Sequence, residues 1–385
     1  MKMCGRRWTR RMAAVLLILS LHDLHSEESK ASSEGSPVPG QVSKIPFAPL
    51  DSSLPVWIPE GHEEDDKRRW PVLLYYHGTN GNPTLRFAMD AAGQEDWILI
   101  GMSYREKGRF SYQPDNLRAE IEVYNELLET WNERFSLRLD PRRVYVGGFS
   151  KGGWVSALFL EEDPRLAGAV ILGAGHLGRA DFDPAQFSLD GKPVYIGLGE
   201  SDGNVGMSFR AKEVYEAAGA RVTWEFWSNL GHTLPRKCTP SLHQWFRIEG
   251  QLDGSHEIES KAIQWLEAEW SKAEVLENRV EQWTAVEEIK EAPWFRFADR
   301  EILSEIREWE ESWLRSEGSE EELAAKERYF STLEAESKNR YVETLREAKE
   351  RYHRLASEYP RTYWGALSLA CCSGRGSHLA RHFNR

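Results

Sequence analysis

Three side chains in this sequence have the types and the order needed to break an acyl bond by nucleophilic attack: Ser150, Asp202 and His232. A serine hydroxyl is a weak nucleophile unless a base takes its proton and a third group orients the base. Ser150 stands in Gly148-Phe149-Ser150-Lys151-Gly152, a G-x-S-x-G pattern. The apolar run Val144-Tyr145-Val146-Gly147 precedes it, and the helical pattern Gly153 to Leu160 follows. A strand that turns abruptly into a helix lifts its serine into a strained, exposed position. The flanking glycines let the chain turn without a Cβ clash, and the following helix aims its positive end at the hydroxyl. Asp202 lies just past the strand Pro193 to Leu198, in Gly199-Glu200-Ser201-Asp202-Gly203-Asn204. Glu200 is the second candidate for the acid, closer to the strand. His232 lies in the loop Asn229 to Pro235, after the alternating strand Arg221 to Trp227. The chain order Ser, Asp, His is the hydrolase order, unlike the two common protease orders.

Attack on a carbonyl also needs donors for the developing oxyanion. The strand Trp70 to Tyr76 ends in His77-Gly78-Thr79-Asn80-Gly81. This loop is expected to supply the Thr79 N–H. The residue after the serine, Lys151, is expected to supply the second. His77 precedes the serine and is expected to hold the loop by hydrogen bonds. Tyr104 and Arg105 end a strand on the same side and are candidates to line a pocket. His176 is a candidate substrate contact. Cys238 has no base of its own and reads as a buried thiol.

The elements that must carry these residues alternate. Strands are expected at 54–59, 70–76, 97–103, 144–147, 169–173, 193–198 and 221–227. Helices are expected at 85–92 and 116–135, the latter from Leu117, Ile121, Tyr124, Leu127, Leu128 and Trp131 at spacings of three and four. Alternation of this kind predicts an α/β fold with a mostly parallel sheet covered on both faces. Its site residues collect at the strand C-terminal ends.

The segments 71–81 and 140–153 and the Asp202 and His232 loops resemble the α/β-hydrolase superfamily. The resemblance is to its secreted serine esterases, such as polyhydroxybutyrate depolymerases and feruloyl esterases, and spans about residues 45–270. It implies an α/β-hydrolase fold and a carboxylic ester hydrolase with a catalytic triad of Ser150, Asp202 and His232. It implies no cofactor and no metal. A small or polymer-linked ester is the expected partner. A serine peptidase and a non-catalytic envelope binding or assembly protein on the same scaffold are the competing readings.

The net charge of −12 argues against nucleic acid, whose backbone demands a basic surface. The four cysteines show no metal-ligand spacing. Lys2, Arg6, Arg7, Arg10 and Arg11 precede the apolar run Met12 to Leu21. This reads as a signal peptide over 1–25 and predicts a secreted or periplasmic protein, with an uncleaved anchor as the alternative. Residues 26–44 read as a disordered linker, 45–272 as the hydrolase domain, 273–370 as a helical region and 371–385 as a basic flexible tail. The helical region contains one tetratricopeptide-type joint at Tyr352 to Leu367. It reads as an appendage, packed on itself or on the hydrolase, with a face that would suit a protein partner. A chain ended after about residue 275 is expected to keep its chemistry.

Overall fold

The computed structural model describes residues 35–64, 67–105, 114–177, 187–227, 230–250, 256–337, 342–369 and 371–372. The expected signal peptide, residues 26–34 of the expected linker and residues 373–385 of the expected tail lie outside them.

Eight strands form one sheet: β1 (Val42–Phe47), β2 (Ser52–Trp57), β3 (Trp70–Tyr76), β4 (Ile98–Met102), β5 (Leu139–Phe149), β6 (Gly168–Leu172), β7 (Pro193–Gly199) and β8 (Arg221–Trp227). Their order is β1-β2-β4-β3-β5-β6-β7-β8. β1 and β2 pair antiparallel, as do β2 and β4, and the remaining pairs are parallel. Every residue of β3, β4, β6 and β7 is buried, as both-face cover requires.

Alternate residues face opposite layers. Leu74, Val146, Ile171 and Ile196 enter one core with Tyr124, Leu127 and Trp131 of α2 (Pro114–Phe135) and Val155, Leu158 and Phe159 of α3 (Lys151–Glu162). Their neighbours Leu73, Tyr145, Val170 and Tyr195 enter the other. There they meet Ala88 and Ala91 of α1 (Arg86–Ala92) and Leu242, Trp245 and Phe246 of α5 (Pro240–Gly250). α4 (Val205–Ala217) follows β7.

The C-terminal helices pack partly on one another and partly on the sheet's core, the two alternatives expected for them. α6 (His256–Glu274) ends two residues past the expected boundary at 272. Its Leu266, Trp270 and Ala273 form a core with Val286 and Ile289 of α7 (Arg279–Glu291) and Ile302 and Ile306 of α8 (Arg300–Leu314). Asp299 caps α8, its Oδ1 accepting from the Ile302 N–H at 2.9 Å. α9 (Ser319–Ser337) and α10 (Val342–Glu358) join the main core. Tyr329, Leu333, Tyr352 and Leu355 lie in one contiguous cluster with β5 to β7, and the Phe330 ring sits 5.8 Å from Phe209 of α4. Apolar faces at helical spacing must be buried against something. For α6 to α8 that something is the three helices themselves, and for α9 and α10 it is the core beneath the sheet.

Residues 352–367 form a helix–turn–helix joint. Thr362 Oγ1 accepts from the Gly365 N–H at 2.9 Å, and a Cβ at Gly365 would stand 1.9 Å from the Tyr359 carbonyl oxygen. Two further boundaries differ from expectation. β1 starts at Val42, inside the linker expected through 44, because only Ile45 and Phe47 of this edge strand turn inward. Such a strand is held by pairing rather than by its hydrophobicity. Cys371 and Cys372, expected in the flexible tail, are helical and buried.

Glu225 of β8 is set among Tyr195, the Trp227 Nε1–H (3.2 Å) and the Thr239 hydroxyl (2.8 Å). Burial pushes its carboxyl up to about 7, and the Thr239 and Trp227 donors oppose this less strongly. The folded protein therefore holds this proton more tightly than the unfolded chain does. Its stabilisation is complete below the ordinary value of 4.5 and is lost as pH rises toward 7. Glu225→Gln should flatten stability across that window, with a difference between the two proteins of at most about 3 kcal/mol. Urea unfolding at several pH values reads this directly.

A second expectation tests the shared core. Tyr329 is fully buried, with the Tyr352 and Trp364 rings at 5.6 and 5.1 Å. Tyr329→Ala should cost roughly 3–5 kcal/mol and lower one calorimetric transition as a whole. Two separate transitions, with the sheet's unmoved, would mean that the helices fold apart from it.

Candidate active site

The serine turn is dictated by close packing. β5 ends at Phe149 and α3 begins at Lys151, leaving Ser150 at φ +56°, ψ −115°. A positive φ on a non-glycine residue costs of order 1–3 kcal/mol and persists only where surroundings over-determine it. They do so here. The Ser150 N–H donates to the Leu172 carbonyl at 2.8 Å, and its own carbonyl accepts from the Trp154 N–H at 3.0 Å. A Cβ at Gly148 would lie 2.4 Å from the Tyr76 carbonyl oxygen, and one at Gly152 only 2.1 Å from it. A Cβ at Gly153 would lie 2.7 Å from the Leu172 carbonyl oxygen. The glycines are there because the backbone of α3 rests on that of β3 and β6.

The three expected side chains meet. The Ser150 hydroxyl donates to His232 Nε2 at 2.8 Å, and His232 Nδ1–H donates to Asp202 Oδ2 at 2.8 Å. The Asp202 side chain is 1% exposed and the His232 side chain 17%, so the acid is sealed while the imidazole edge is open. Asp202 Oδ1 accepts from the Asn204 N–H at 2.9 Å. Asn204 Nδ2 donates to the Gly173 carbonyl at 2.8 Å and so ties the acid loop to the end of β6. The Glu200 and Ser201 N–H groups donate to the Trp227 and Leu230 carbonyls, which joins the acid loop to the histidine loop. A Cβ at Gly199 would stand 2.3 Å from the Leu230 and Gly231 carbonyl oxygens. The Phe149 ring lies 5.0 Å from the imidazole. Between the two carboxylates, Asp202 is the one on His232.

The loop after β3 faces this group. An added Cβ at Gly78 would sit 3.8 Å from Ser150 Cβ. Thr79 follows in a turn closed by the Gly81 N–H donating to the Gly78 carbonyl at 3.1 Å, with Asn80 at φ +57°. His77 Nδ1–H donates to the same carbonyl at 2.7 Å, and the buried Tyr104 hydroxyl donates to the His77 carbonyl at 2.6 Å. The His77 and Gly78 carbonyls are therefore pinned. Burial lowers the His77 imidazole below its ordinary value, and the nearby Lys151 charge adds to this against the Gly78 hydrogen bond. His77 is thus held neutral as a loop prop. Lys151 opens α3, and its ammonium packs 4.4 Å over the Tyr104 ring. Burial lowers its ammonium, opposed by Glu120.

Three further side chains singled out in the sequence have partners of their own. His176 is buried against Glu161, Nδ1 to Oε1 at 2.8 Å, with the Tyr215 hydroxyl on the same oxygen at 2.8 Å. The Arg105 N–H donates to Glu120. The Cys238 thiol donates to the Thr239 carbonyl at 3.2 Å, and burial pushes it up to about 12. Sequence reasoning missed Asn204 and the Phe149 contact. Asn204 had a legible signal, an amide two residues after the acid in an Asx-type turn.

Substitutions at the turn should separate glycine needed for contact from glycine at liberty. Gly152→Ala forces a Cβ into the Tyr76 carbonyl and should cost at least the ~1–3 kcal/mol of core overpacking. Gly203→Ala, where nothing lies within 4 Å of the new carbon, should leave the urea midpoint unchanged. Equal midpoints for the two variants would contradict the close packing.

No family model matches the sequence, and no curated protein is similar to it. Among solved structures the chain is similar to a carboxylesterase of Bacillus cereus, at 23% identity over 47% of this chain and 87% of that one, with a TM-score of 0.39. It is also similar to a ferulic acid esterase of Anaeromyces mucronatus in complex with ferulic acid, at 15% identity over 52% and 89%, with a TM-score of 0.37. A phospholipase/carboxylesterase of Dyadobacter fermentans is similar at 15% identity over 44% and 86%, with a TM-score of 0.34. The strand order of this chain, with the serine after β5, the acid after β7 and the histidine after β8, is its own evidence, and by that order the chain has the α/β-hydrolase fold.

Proposed function

We propose that this protein is a serine hydrolase that cleaves carboxylic esters through an acyl-enzyme. The observation that carries the reading is the pair of 2.8 Å hydrogen bonds joining Asp202, His232 and Ser150 on a strained turn. Ser150 Oγ attacks the ester carbonyl while His232 Nε2 takes its proton. Asp202 holds the Nδ1–H tautomer and stabilises the imidazolium that forms. The N–H groups of Thr79 and Lys151 hold the oxyanion. Collapse of the tetrahedral intermediate expels the alkoxide, which takes the proton from His232 and leaves as alcohol. Water, deprotonated by His232, then attacks the acyl-enzyme and frees the acid and the serine.

The basic residues before the apolar run Met12 to Leu21 support a secreted or periplasmic location. A scaffold used only for binding has no need of a proton relay, which favours chemistry over assembly.

A panel of nitrophenyl, feruloyl and acetyl-sugar esters beside aminoacyl amides tests the reading. Ser150→Ala should lose turnover on the order of 10⁶-fold. Asp202→Asn, which favours the wrong imidazole tautomer, should lose on the order of 10⁴-fold, and Glu200→Gln should lose far less. Faster turnover of an amide than of any ester would make the protein a peptidase. An intact rate in Ser150→Ala would remove the serine mechanism altogether.

A further inference from the structure

The acid loop has cover that an ordinary sheet-and-helix layer does not provide. Asp202 sits in Gly199 to Asn204, and α4 starts directly after it at Val205. Two elements from beyond residue 318 close over this stretch. The Cys371 thiol, fully buried, donates to the Glu200 carbonyl at 3.3 Å. Two residues further along, Asp202 begins the hydrogen bonds that aim it at His232. On the other side, Glu336 at the end of α9 presses on the first turn of α4. A Cβ on Gly206 would stand 2.8 Å from Glu336 Cγ and 3.3 Å from its backbone carbonyl carbon. The 4%-exposed Glu336 side chain is fixed in turn by the Tyr352 hydroxyl of α10, which donates to Oε2 at 3.0 Å. Cys371 also lies 3.7 Å from the Tyr329 hydroxyl, deep in the same cluster.

Resting on the esterase reading, we propose that the C-terminal helices are part of the catalytic apparatus, with Cys371 and Glu336 as positioning residues that hold residues 200–206 and so fix Asp202 beneath His232. The loop itself is short and polar. Its anchors to the sheet are the hydrogen bonds of Asn204, Glu200 and Ser201. Those fix it toward β6 and β8 but leave the face toward solvent to other elements. A thiol hydrogen bond is weak singly. Its use here is geometric, because the Glu200 carbonyl can point at Cys371 only if the 200–202 backbone keeps its present path. Contact between Gly206 and Glu336 prevents α4 from shifting along its axis, which would carry Asp202 with it. Misplacement of a positioned group by about 1 Å can cost up to ~10²-fold in rate, so modest slack is readable.

The test uses the full chain. In Cys371→Ala and Glu336→Ala, kcat on a small soluble ester should fall by about tenfold, within that misplacement range, with KM unchanged. The low-field proton NMR signal of His232 Nδ1–H, present in the resting protein without substrate, should broaden or vanish. Cys371→Ser keeps a donor and should restore both. If Cys371→Ala does not fold, Tyr352→Phe, which removes only the hydroxyl that fixes Glu336, decides in its place by the same two readouts. Variants that melt cooperatively and keep both kcat and a sharp Nδ1–H signal would overturn the proposal. The failure of the underlying reading looks different. A wild-type protein that turns over no ester loses the function assignment, while the Nδ1–H signal still reports whether the helices position Asp202.

Discussion

The serine turn depends on one contact, between the backbone at the start of α3 and the carbonyl oxygen of Tyr76 at the end of β3. No side chain fits at Gly148 or Gly152, since even a methyl carbon would approach that oxygen to 2.4 or 2.1 Å. Because helix and strand touch at this point, the chain between them must reverse within one residue. That residue is Ser150, and its positive φ is the result. The same contact brings the first N–H groups of α3 beside the end of β3, from which the His77 to Gly81 loop departs. Serine, helix N-terminus and the His77 to Gly81 loop are therefore placed by one packing decision. The strain at Ser150 is offset by its hydrogen bonds to Leu172 and Trp154 and by the cores on both faces of the sheet.

The second determinant is a contrast of exposure along the hydrogen-bonded chain. Asp202 is sealed, while His232 and Ser150 are half-buried. A buried carboxylate is costly unless hydrogen bonds and a partner charge compensate it. The Asn204 N–H and His232 Nδ1–H supply them. The low local dielectric then strengthens the attraction between Asp202 and an imidazolium at the moment one forms. The loop that carries Thr79 uses the opposite device. Its first two carbonyls, of His77 and Gly78, are occupied by Tyr104, His77 and Gly81, which fixes those peptide planes without any charge. A neutral His77 suits this role, and burial keeps it so.

Much of this was legible in the sequence because it follows from short-range chemistry. Glycines at 148, 152 and 153 announce a backbone contact, and carboxylate and imidazole after successive apolar strands announce where strand ends lie. The seven expected strands are present, since short β-branched and apolar runs bounded by turns leave few alternatives. β1 was hidden because an edge strand with two inward residues looks like a linker. The fate of the C-terminal helices was hidden for another reason. Periodicity in Ile302, Ile306 and Trp313 says that a face is buried, but no local pattern says against what. Cys371 meeting Glu200 joins positions 171 residues apart, and neither residue carries a mark of the other.

One sign of that cover does lie in the hydrolase part of the chain. In a doubly covered sheet, an outer helix buries the stripe that faces the strands and leaves the opposite face to water. α4 departs from this rule. Val205, Gly206, Ser208, Phe209, Ala211 and Tyr215 are all buried, and at the helical period they sweep more than half of the circumference. Ser208 receives the Trp224 indole N–H from β8, and Tyr215 reaches Glu161 of α3, so these positions face the sheet layer. Gly206 and Phe209 turn toward Glu336 and Phe330 of α9. A glycine in the first turn of a helix lowers its propensity by about 1 kcal/mol relative to alanine, so its presence calls for a reason in packing, and the close approach of Glu336 supplies one. The helix that begins directly after Asn204 is thus shaped to be covered on its outer side, and the residues that do the covering come from the last quarter of the chain.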